Sequence, residues 1–425
     1  LRQDGDCLDT WFSSWLWPIS LFDGILHPEN EEIRYYYPTS DLVTAPDIIF
    51  FWVARMIMAG YEYQGEMPFR NVYFTGIVRD KLGRKMSKSL GNSPDPLVLI
   101  DRFGADGVRV GMLLCAPAGG DLLFDESLPE QGRNFTTKMW NAFRLVSGWE
   151  VADTEQPEHS RLALEWFEQY LQRCRATLDE QFGQYRLSEA LMTVYTGFRD
   201  EFSSWLLEII KPGYGQPIDR QTYERAIGLF EEMLQLLHPF MPFITEEIWQ
   251  QLRPRREGES IMTSLLPAAK AADTGLLAEF ENVKEVIAGI RTVRKQHNIA
   301  FKETVELKVK ENDRYPRRFE SVIRKMGNTN AVEIVKEGTQ GAWSFICGTV
   351  EYFIPATGQV DTEETRTKLE ADLKYTRGFL ESVMKKLNNE KFMKGAPEKV
   401  IENERKKQAD AESKIKAIEE QLRSL

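Results

Sequence analysis

The strongest constraint on the fold lies in residues 361–425, where apolar side chains repeat with heptad spacing. Seam positions alternate four and three residues apart in two runs: Leu369, Leu373, Thr376, Leu380, Val383 and Leu387, then Ile401, Glu404, Gln408, Ala411, Ile415, Ile418, Leu422 and Leu425. Gly395 and Pro397 interrupt the pattern between the runs. Two amphipathic helices joined by a short break can cover each other's apolar face by folding back. The spacing therefore predicts an antiparallel coiled-coil arm.

Residues 1–128 mix strand-like and helix-like runs. An aromatic and β-branched run over 33–45 predicts a strand, and 47–63 predicts a buried helix that Asp47 can cap and Gly60 can stop. A second strand is predicted over 69–78, and two short helices are predicted on either side of Phe103-Gly104. This order is typical of an α/β sheet, in which ligands bind beyond the carboxyl ends of the strands.

The middle of the chain has a different period. Five runs in residues 129–270 carry apolar residues at steps of three and four, which predicts an α-helical bundle. We expect its large side chains to form core, among them Trp140, Trp166, Trp205, Met233 and Trp249. Residues 271–360 combine one helix with three strand-like runs and predict a small α/β junction domain.

Composition excludes several classes of function. The net charge is -11, which argues against broad nonspecific binding to nucleic acid. The segment 284–325 nevertheless holds 12 Lys and Arg against 6 Asp and Glu, which suits contacts with a folded RNA at a few defined places.

The 4 Cys and 4 His residues are scattered, so we expect no structural zinc and no other metal site. The sequence contains no apolar run long enough to span a membrane, so no membrane helix is predicted. The start at Leu1 suggests a piece of a longer protein.

The stretch "DKLGRKMSKSLGN" (80–92) follows the second predicted strand and is rich in cations. It does not fit the spacing of a P-loop. Lys85 and Lys88, three residues apart, suit a polyphosphate whose charge shifts toward pyrophosphate when the α-phosphorus of ATP is attacked. A solvated basic loop explains the same residues equally well.

Longer motifs favour the first interpretation. The stretch "KMSKS" (85–89) with the following "LGN" resembles the signature loop of class I aminoacyl-tRNA synthetases. "LDTWFSSWLWP" (8–18), "DIIFFWVARM" (47–56) and "NEKFMKGAPEKV" (389–400) resemble segments of the valyl branch of bacterial type. The resemblance covers the whole chain. It implies the second half of a Rossmann-type catalytic domain over 1–128, an anticodon-binding bundle over 129–270, the junction domain, and a tRNA-binding arm.

The resemblance also implies roles for particular residues. Lys85 and Lys88 would be the catalytic cations. ATP would be bound by the loop residues Lys85, Met86, Ser87, Lys88 and Ser89, with the two lysines on the phosphates and the two serines shaping the loop. Valine would be bound by Trp11, Asp47, Ile48 and Trp52, with the flat rings rejecting larger side chains and the carboxylate near the ammonium group. Simple core packing and helix capping are the alternatives for the last four.

The same resemblance implies ATP with Mg²⁺, valine and tRNA-Val as ligands of a cytoplasmic enzyme, which we expect to be a monomer. Contacts with the tRNA are expected from basic side chains of the junction helix and the arm: Arg291, Arg294, Lys295, Lys385, Lys386, Lys391 and Lys394. A solvated surface explains these residues as well.

Two departures from the family limit the prediction. The chain contains no His-x-Gly-His motif and no editing insertion, so it would hold half of a catalytic site and be inactive alone. Ala45-Pro46 stands where the family often has glycine, so a methyl group and a fixed backbone angle are present at the expected adenosine contact. An isoleucyl-type enzyme and a non-catalytic tRNA-binding module remain as alternatives to a valine–tRNA ligase.

Overall fold

The computed structural model describes residues 2–87, 89–116, 120–339, 341–356, 362–389, 392 and 397–424. Lys88, Lys391 and Lys394 lie outside the described residues. The chain forms two compact units, the first made of 1–148, 173–201 and 227–270, the second of 149–172, 202–226 and 271–425. Within the described ranges, every helix is too short or too polar to cross a membrane. The four-domain division stays a prediction.

The first α/β segment contains the predicted strand–helix–strand order. Its elements are α1 (Thr10–Trp15), α2 (Trp17–Ser20), α3 (Glu31–Tyr36), β1 (Thr39–Thr44), α4 (Ala54–Tyr63), β2 (Phe69–Phe74), β3 (Val78–Arg79), α5 (Pro96–Phe103), α6 (Ala105–Leu114) and β4 (Leu122–Leu123). Strands β1 and β2 pair in parallel from Thr39↔Phe69 to Thr44↔Phe74. A parallel pair needs a crossover connection, and α4 lies in it.

The first predicted strand is shorter than expected, because its beginning is helical. The Asn30 side chain accepts a hydrogen bond from the Ile33 amide and caps α3. Glu31 and Glu32 lie in the first turn, where the helix dipole favours negative charge. These local signals outweigh the strand preference of the aromatic residues that follow.

The predicted buried helix over 47–63 is wrong in two respects. It begins with a 3₁₀ turn (Pro46–Ile48) and a π-helical turn (Ile49–Val53), and the Asp47 side chain makes no capping bond. It is also buried on one face only, since Phe50 is 73% and Met58 65% exposed. Gly60 lies inside α4, where an added Cβ would stand 2.9 Å from Pro68 Cδ. The glycine therefore serves close packing rather than helix termination.

Helices α5 and α6 confirm the predicted break. Gly104 between them has φ 79°, a conformation that side chains disfavour. The Gly104 amide donates to the Ile100 carbonyl and ends α5.

The predicted helical region is confirmed. It contains α7 (Ser127–Ser147), α8 (Glu158–Gly183), α9 (Leu187–Thr196), a π-helical stretch (Gly197–Leu206), α10 (Leu207–Ile210), α11 (Arg220–Leu237) and α12 (Pro242–Leu252), with the short strands β5 (Val151–Ala152) and β6 (Ile218–Asp219). Trp166, Met233 and Trp249 are buried as expected, whereas Trp140 and Trp205 are half-buried.

The predicted junction helix and its three strands are also present. They are α13 (Thr274–Gln296), β7 (Val305–Lys310), β8 (Thr329–Val335) and β10 (Val350–Pro355), joined by the unpredicted α14 (Glu320–Gly327) and β9 (Ala342–Cys347). The sheet order is β8-β7-β10-β9, parallel between β7 and β8 and otherwise antiparallel.

The heptad runs form two helices, α15 (Thr362–Leu387) and α16 (Glu398–Ser424). Arg377 pairs with Glu419 at 2.6 Å and Lys386 with Glu404 at 3.6 Å, so the helices are antiparallel. Among the arm side chains that the structure describes, the buried ones all occupy predicted seam positions: Thr376, Val383, Glu404, Ala411 and Ile418. The antiparallel hairpin is confirmed over the described residues.

Candidate active site

The "KMSKS" loop begins as a tight hairpin after β3. The Asp80 amide donates to the Arg84 carbonyl at 2.9 Å, and the Met86 amide donates to the Val78 carbonyl at 3.2 Å. Gly83, at φ 76°, makes the turn between them. Backbone pairing thus fixes where Lys85 leaves the hairpin.

Asp80 organises this hairpin and connects it to the end of the loop. Its carboxylate accepts hydrogen bonds from the amides of Leu82 (3.0 Å) and Arg84 (2.9 Å) and from the Asn92 side chain (3.0 Å). The Asn92 bond, followed by that from the Arg84 side chain, holds the pKa of Asp80 well below its ordinary value. The sequence analysis missed both residues, although they stand at the two ends of the quoted stretch.

The loop brings two predicted site residues together. Lys85 Nζ lies 2.8 Å from Asp47 Oδ2, and both side chains are about half exposed. Asp47 follows the carboxyl end of β1, and Lys85 follows β3, so the pair lies where ligands bind in such sheets. The carboxylate and the ammonium group neutralise each other in this arrangement.

The serines shape the second part of the loop. The Ser87 amide donates to Asn92 Oδ1 at 2.9 Å, and its hydroxyl lies 3.1 Å from that of Ser89. Met86 packs against an apolar cluster that includes Leu99 and Phe103, so its side chain anchors the loop to the protein.

Every described cation of the hairpin has a carboxylate partner. Lys81 pairs with Asp125 at 2.6 Å, Arg79 pairs with Asp121, and Arg84 pairs with Asp80 at 2.7 Å. The hydrogen bond from Lys81 lowers the pKa of Asp125 to about 2. The expected bare cationic cluster is therefore an array of ion pairs, and an anionic ligand has to replace a carboxylate to reach a cation.

The predicted valine-binding rings belong to α1 (Trp11) and to the π-helical turn (Trp52), and each stacks on a residue that was not predicted. Trp11 stacks on Phe51 with ring centres 5.9 Å apart, and Trp52 stacks on Trp17 at 5.8 Å. Trp52 Nε1 also donates to the Ser14 carbonyl at 3.0 Å. Ile48, half-buried, closes the 3₁₀ turn that carries Asp47.

Arg294 is buried and does not share the exposed face of α13 with Arg291 and Lys295. Its side chain is 4% exposed, and its guanidinium group donates to backbone carbonyls at 2.9–3.2 Å. The expectation of a shared basic helix face is corrected, because Arg294 points into the junction domain. Arg291 lies over the Trp205 ring at 5.6 Å, and Lys295 is exposed.

The two described arm lysines differ in their surroundings. Lys385 is exposed and lies 3.3 Å from Glu381. Lys386 faces the buried Glu404, whose pKa is lowered by the hydrogen bond from Lys407 and then by the Lys386 charge. Lys385 is thus the freer of the two to meet a partner.

Comparisons with known proteins agree with the order of these segments. Family models match residues 1–125 (tRNA synthetases class I (I, L, M and V)), 165–310 (anticodon-binding domain of tRNA ligase) and 361–425 (valyl tRNA synthetase tRNA binding arm). A valine–tRNA ligase from Phocaeicola vulgatus is 65% identical over all of this chain. Over its full length, the chain is similar to valine–tRNA ligases. Valine–tRNA ligases of Parabacteroides distasonis and Chlorobaculum tepidum are 62% and 36% identical over the same full length.

The chain spans about half the length of the curated relatives it matches. It covers 48% of the Phocaeicola vulgatus protein, 49% of the Parabacteroides distasonis protein and 50% of the Chlorobaculum tepidum protein. The matched part is their carboxyl-terminal half.

Proposed function

We propose that this chain contributes half of a valine–tRNA ligase, which activates valine with ATP and transfers it to tRNA-Val. The observation that carries the proposal is the 65% identity to a valine–tRNA ligase across the whole chain. The proposed roles of the four segments follow the predicted domains: half of a catalytic domain, anticodon-binding bundle, junction and tRNA-binding arm. The protein would act in the cytoplasm as a monomer.

In this proposal Lys85 and Lys88 bind the phosphates of ATP, with Met86, Ser87 and Ser89 holding the loop in place. When the valine carboxylate attacks the α-phosphorus, the bond to pyrophosphate breaks and negative charge builds on the departing group. Ammonium groups placed there stabilise the transition state more than the ground state.

Mg²⁺ would enter with the ATP phosphates, whose charge it offsets. Within the described ranges, no three His, Cys, Asp or Glu side chains are close enough to hold a metal ion by themselves. The fit of the metal therefore rests on phosphate oxygens together with protein groups, and the residues named here bind and orient the nucleotide.

The valine ammonium would bind Asp47, while Trp11, Ile48 and Trp52 enclose the side chain. Since Asp47 holds Lys85 at 2.8 Å, an incoming ammonium group would take the place of the lysine. Lys85 would then be released toward the phosphates, so that both substrates use the same ion pair.

Contacts with tRNA-Val would come from exposed basic residues. Arg291, Lys295 and Lys385 support this role by their exposure. Lys386, Lys391 and Lys394 are proposed to contact the tRNA as well, although the structure describes only the first of them.

The exposure of the β1–β2 sheet gives a physical reason to expect a second half of the enzyme. Parallel sheets are normally covered on both faces, yet Val43 of the two-stranded β1–β2 sheet is 58% exposed. The relatives' other half would supply the missing cover together with the histidine motif. The chain by itself is expected to show no valine-dependent ATP turnover.

The test joins this chain to the amino-terminal half of the Phocaeicola vulgatus protein and measures ATP–pyrophosphate exchange. Valine is expected to drive exchange better than isoleucine, and Lys85→Ala should lower the rate roughly 10²–10³-fold. Lys81→Ala is the matched control, because Lys81 lies in the same hairpin but pairs with Asp125. Preference for isoleucine, or equal losses in the two variants, would contradict the proposal.

A further inference from the structure

The last residues of the loop stretch, "LGN" (90–92), have no role in the proposed reaction. Gly91 has φ 63°, a backbone conformation that residues with a side chain disfavour. The chain turns at this glycine, and the half-buried Asn92 side chain lies against the start of the loop, where it contacts Lys85 and Ser87. The end of the stretch is thereby joined to residues that the proposed function uses.

The Asn92 carboxamide uses both of its N–H groups and its oxygen. The N–H groups donate to Asp80 Oδ2 at 3.0 Å and to the Lys85 carbonyl at 3.3 Å, and Oδ1 accepts from the Ser87 amide at 2.9 Å. Aspartate has the same shape but no donor when it is ionised, and leucine has neither a donor nor an acceptor. The three bonds together therefore depend on an asparagine side chain.

The carboxamide holds the loop from one side, and β3 holds it from the other. The bonds of Asn92 reach the carbonyl of Lys85 and the amide of Ser87, as the backbone of a neighbouring strand does. Between them, the Met86 amide donates to the Val78 carbonyl at 3.2 Å, and the Met86 side chain packs in an apolar cluster. The backbone at Lys85 is therefore fixed on both sides, although its side chain is 60% exposed.

Asp80 sets which end of the carboxamide faces which group. Its carboxylate is itself held by the amides of Leu82 and Arg84. Because an ionised carboxylate accepts hydrogen bonds and cannot donate them, it binds the N–H end of Asn92 and leaves Oδ1 for the Ser87 amide. The orientation of Asn92 is thus determined by the hairpin in which Asp80 lies.

We propose that Asn92 is a positioning residue for Lys85, which it places where negative charge builds on the departing pyrophosphate. This inference rests on the proposed function, because that function gives Lys85 its role. The lysine side chain is flexible, so the position of its backbone limits where the ammonium group can reach. A displacement of about 1 Å can lower a catalysed rate roughly 10²-fold. Loss of the Asn92 bonds should therefore slow the reaction without removing a group that touches a substrate.

The first experiment measures ATP–pyrophosphate exchange by the joined protein. Asn92→Ala should lower kcat roughly 10- to 10²-fold and leave the KM for valine unchanged, because Asn92 acts on the loop that binds the phosphates. Asn92→Asp keeps the shape but loses both donors, and it should lower kcat to a similar extent. Asn71→Ala is the matched control and should leave kcat unchanged. Asn71, in β2 of the same segment, also donates two side-chain hydrogen bonds, to the Ser40 carbonyl at 3.3 Å and to Asp41 Oδ1 at 3.1 Å.

A double variant separates positioning from a general structural role. If Asn92 acts through Lys85, Asn92→Ala should change kcat little in a protein that already carries Lys85→Ala, so the two losses should not multiply. A residue that only stabilises the fold would lower kcat by the same factor in both backgrounds. Equal factors would therefore overturn the inference, as would equal kcat values for Asn92→Ala and Asn71→Ala.

Hydrogen exchange of the 425-residue chain by itself tests the contacts without catalysis. The Ser87 amide loses its acceptor in Asn92→Ala, so residues 84–91 should exchange roughly 5-fold faster than in the unmodified chain or in Asn71→Ala. Unchanged hydrogen exchange, with normal ATP–pyrophosphate exchange by the unmodified joined protein, would refute the inference and leave the proposed function standing. Faster hydrogen exchange, with no valine-dependent activity in the joined protein, would refute the proposed function alone.

Discussion

Replacing Arg294 by Met should open the junction domain. The guanidinium group connects α13 to two other segments through four carbonyls, which belong to Ala300 and Glu303 before β7 and to Gly327 and Asn328 at the end of α14. Methionine keeps the apolar length of the side chain and removes all five donors. The four carbonyls then lose these partners, and the bonds to the Gly327 carbonyl are lost from a buried position.

The expected loss follows from these bonds. A hydrogen bond to a charged group contributes about 1.5–3 kcal/mol, but five bonds from one group are not additive. Removing one partner of a buried charged interaction typically costs about 3–5 kcal/mol. We therefore expect a loss of about 4 kcal/mol in local stability, equivalent to a roughly 10³-fold larger equilibrium constant for local opening.

Hydrogen exchange followed by mass spectrometry measures this opening directly. Two compact units make a single unfolding free energy unsuitable, whereas peptides spanning 299–305 and 325–330 report on the segments concerned. Arg294→Lys, which keeps the charge but loses the planar fork, should lie between wild type and Arg294→Met. Lys295→Met, on the exposed side of the same helix, should change exchange little. Equal protection in Arg294→Met and Lys295→Met would refute the structural role of Arg294.

Three further predictions follow from other parts of the chain. Burial lowers the pKa of His159 to about 4, so the unfolded chain binds a proton at a higher pH than the folded chain does, and stability should fall as the pH drops below about 6.5 toward 4. The difference between the urea midpoints at pH 7.5 and pH 5 should therefore be smaller in His159→Asn than in the unmodified chain. An unchanged difference would contradict this. Binding of tRNA should weaken with salt, and Lys385→Ala should reduce the slope of log K against log[salt] by about 1, whereas an identical slope would exclude a phosphate contact. Gly289→Ala would place Cβ 2.3 Å from the Phe345 ring and should lower the free energy of unfolding by about 1–3 kcal/mol. Gly228→Ala in α11, where no atom lies within 4 Å of an added Cβ, should raise it by up to about 1 kcal/mol. Thermal melts of both variants measure the two effects.

The elements that the sequence predicted well are those whose signals are local. The heptad spacing placed Val383 and Ile418 on the seam of the arm, and both are buried there. Gly104 marked the break between α5 and α6 because its backbone conformation is disfavoured for residues with a side chain. The strand predicted over 33–45 was wrong at its beginning because the Asn30 cap, also a local signal, was overlooked.

The "KMSKS" loop was recognised from its letters, but its electrostatic state was not. The expected excess of positive charge depends on which carboxylates lie nearby, and Asp47, Asp121 and Asp125 come from distant positions in the chain. Only the folding of β1, β3 and β4 into neighbouring positions brings these partners to the cations.

Sequence alone thus determined the order of the α/β, helical and coiled-coil segments, the position of the candidate catalytic loop and the resemblance to valine–tRNA ligases, because periodicity, glycine breaks and motifs are encoded in consecutive residues. Tertiary structure alone decided which charges are free. Arg294 and Lys295 are adjacent and both basic, yet one is buried among carbonyls of other segments and the other is exposed. The difference arises because burial is set by what packs against a residue, and those partners lie far away along the chain.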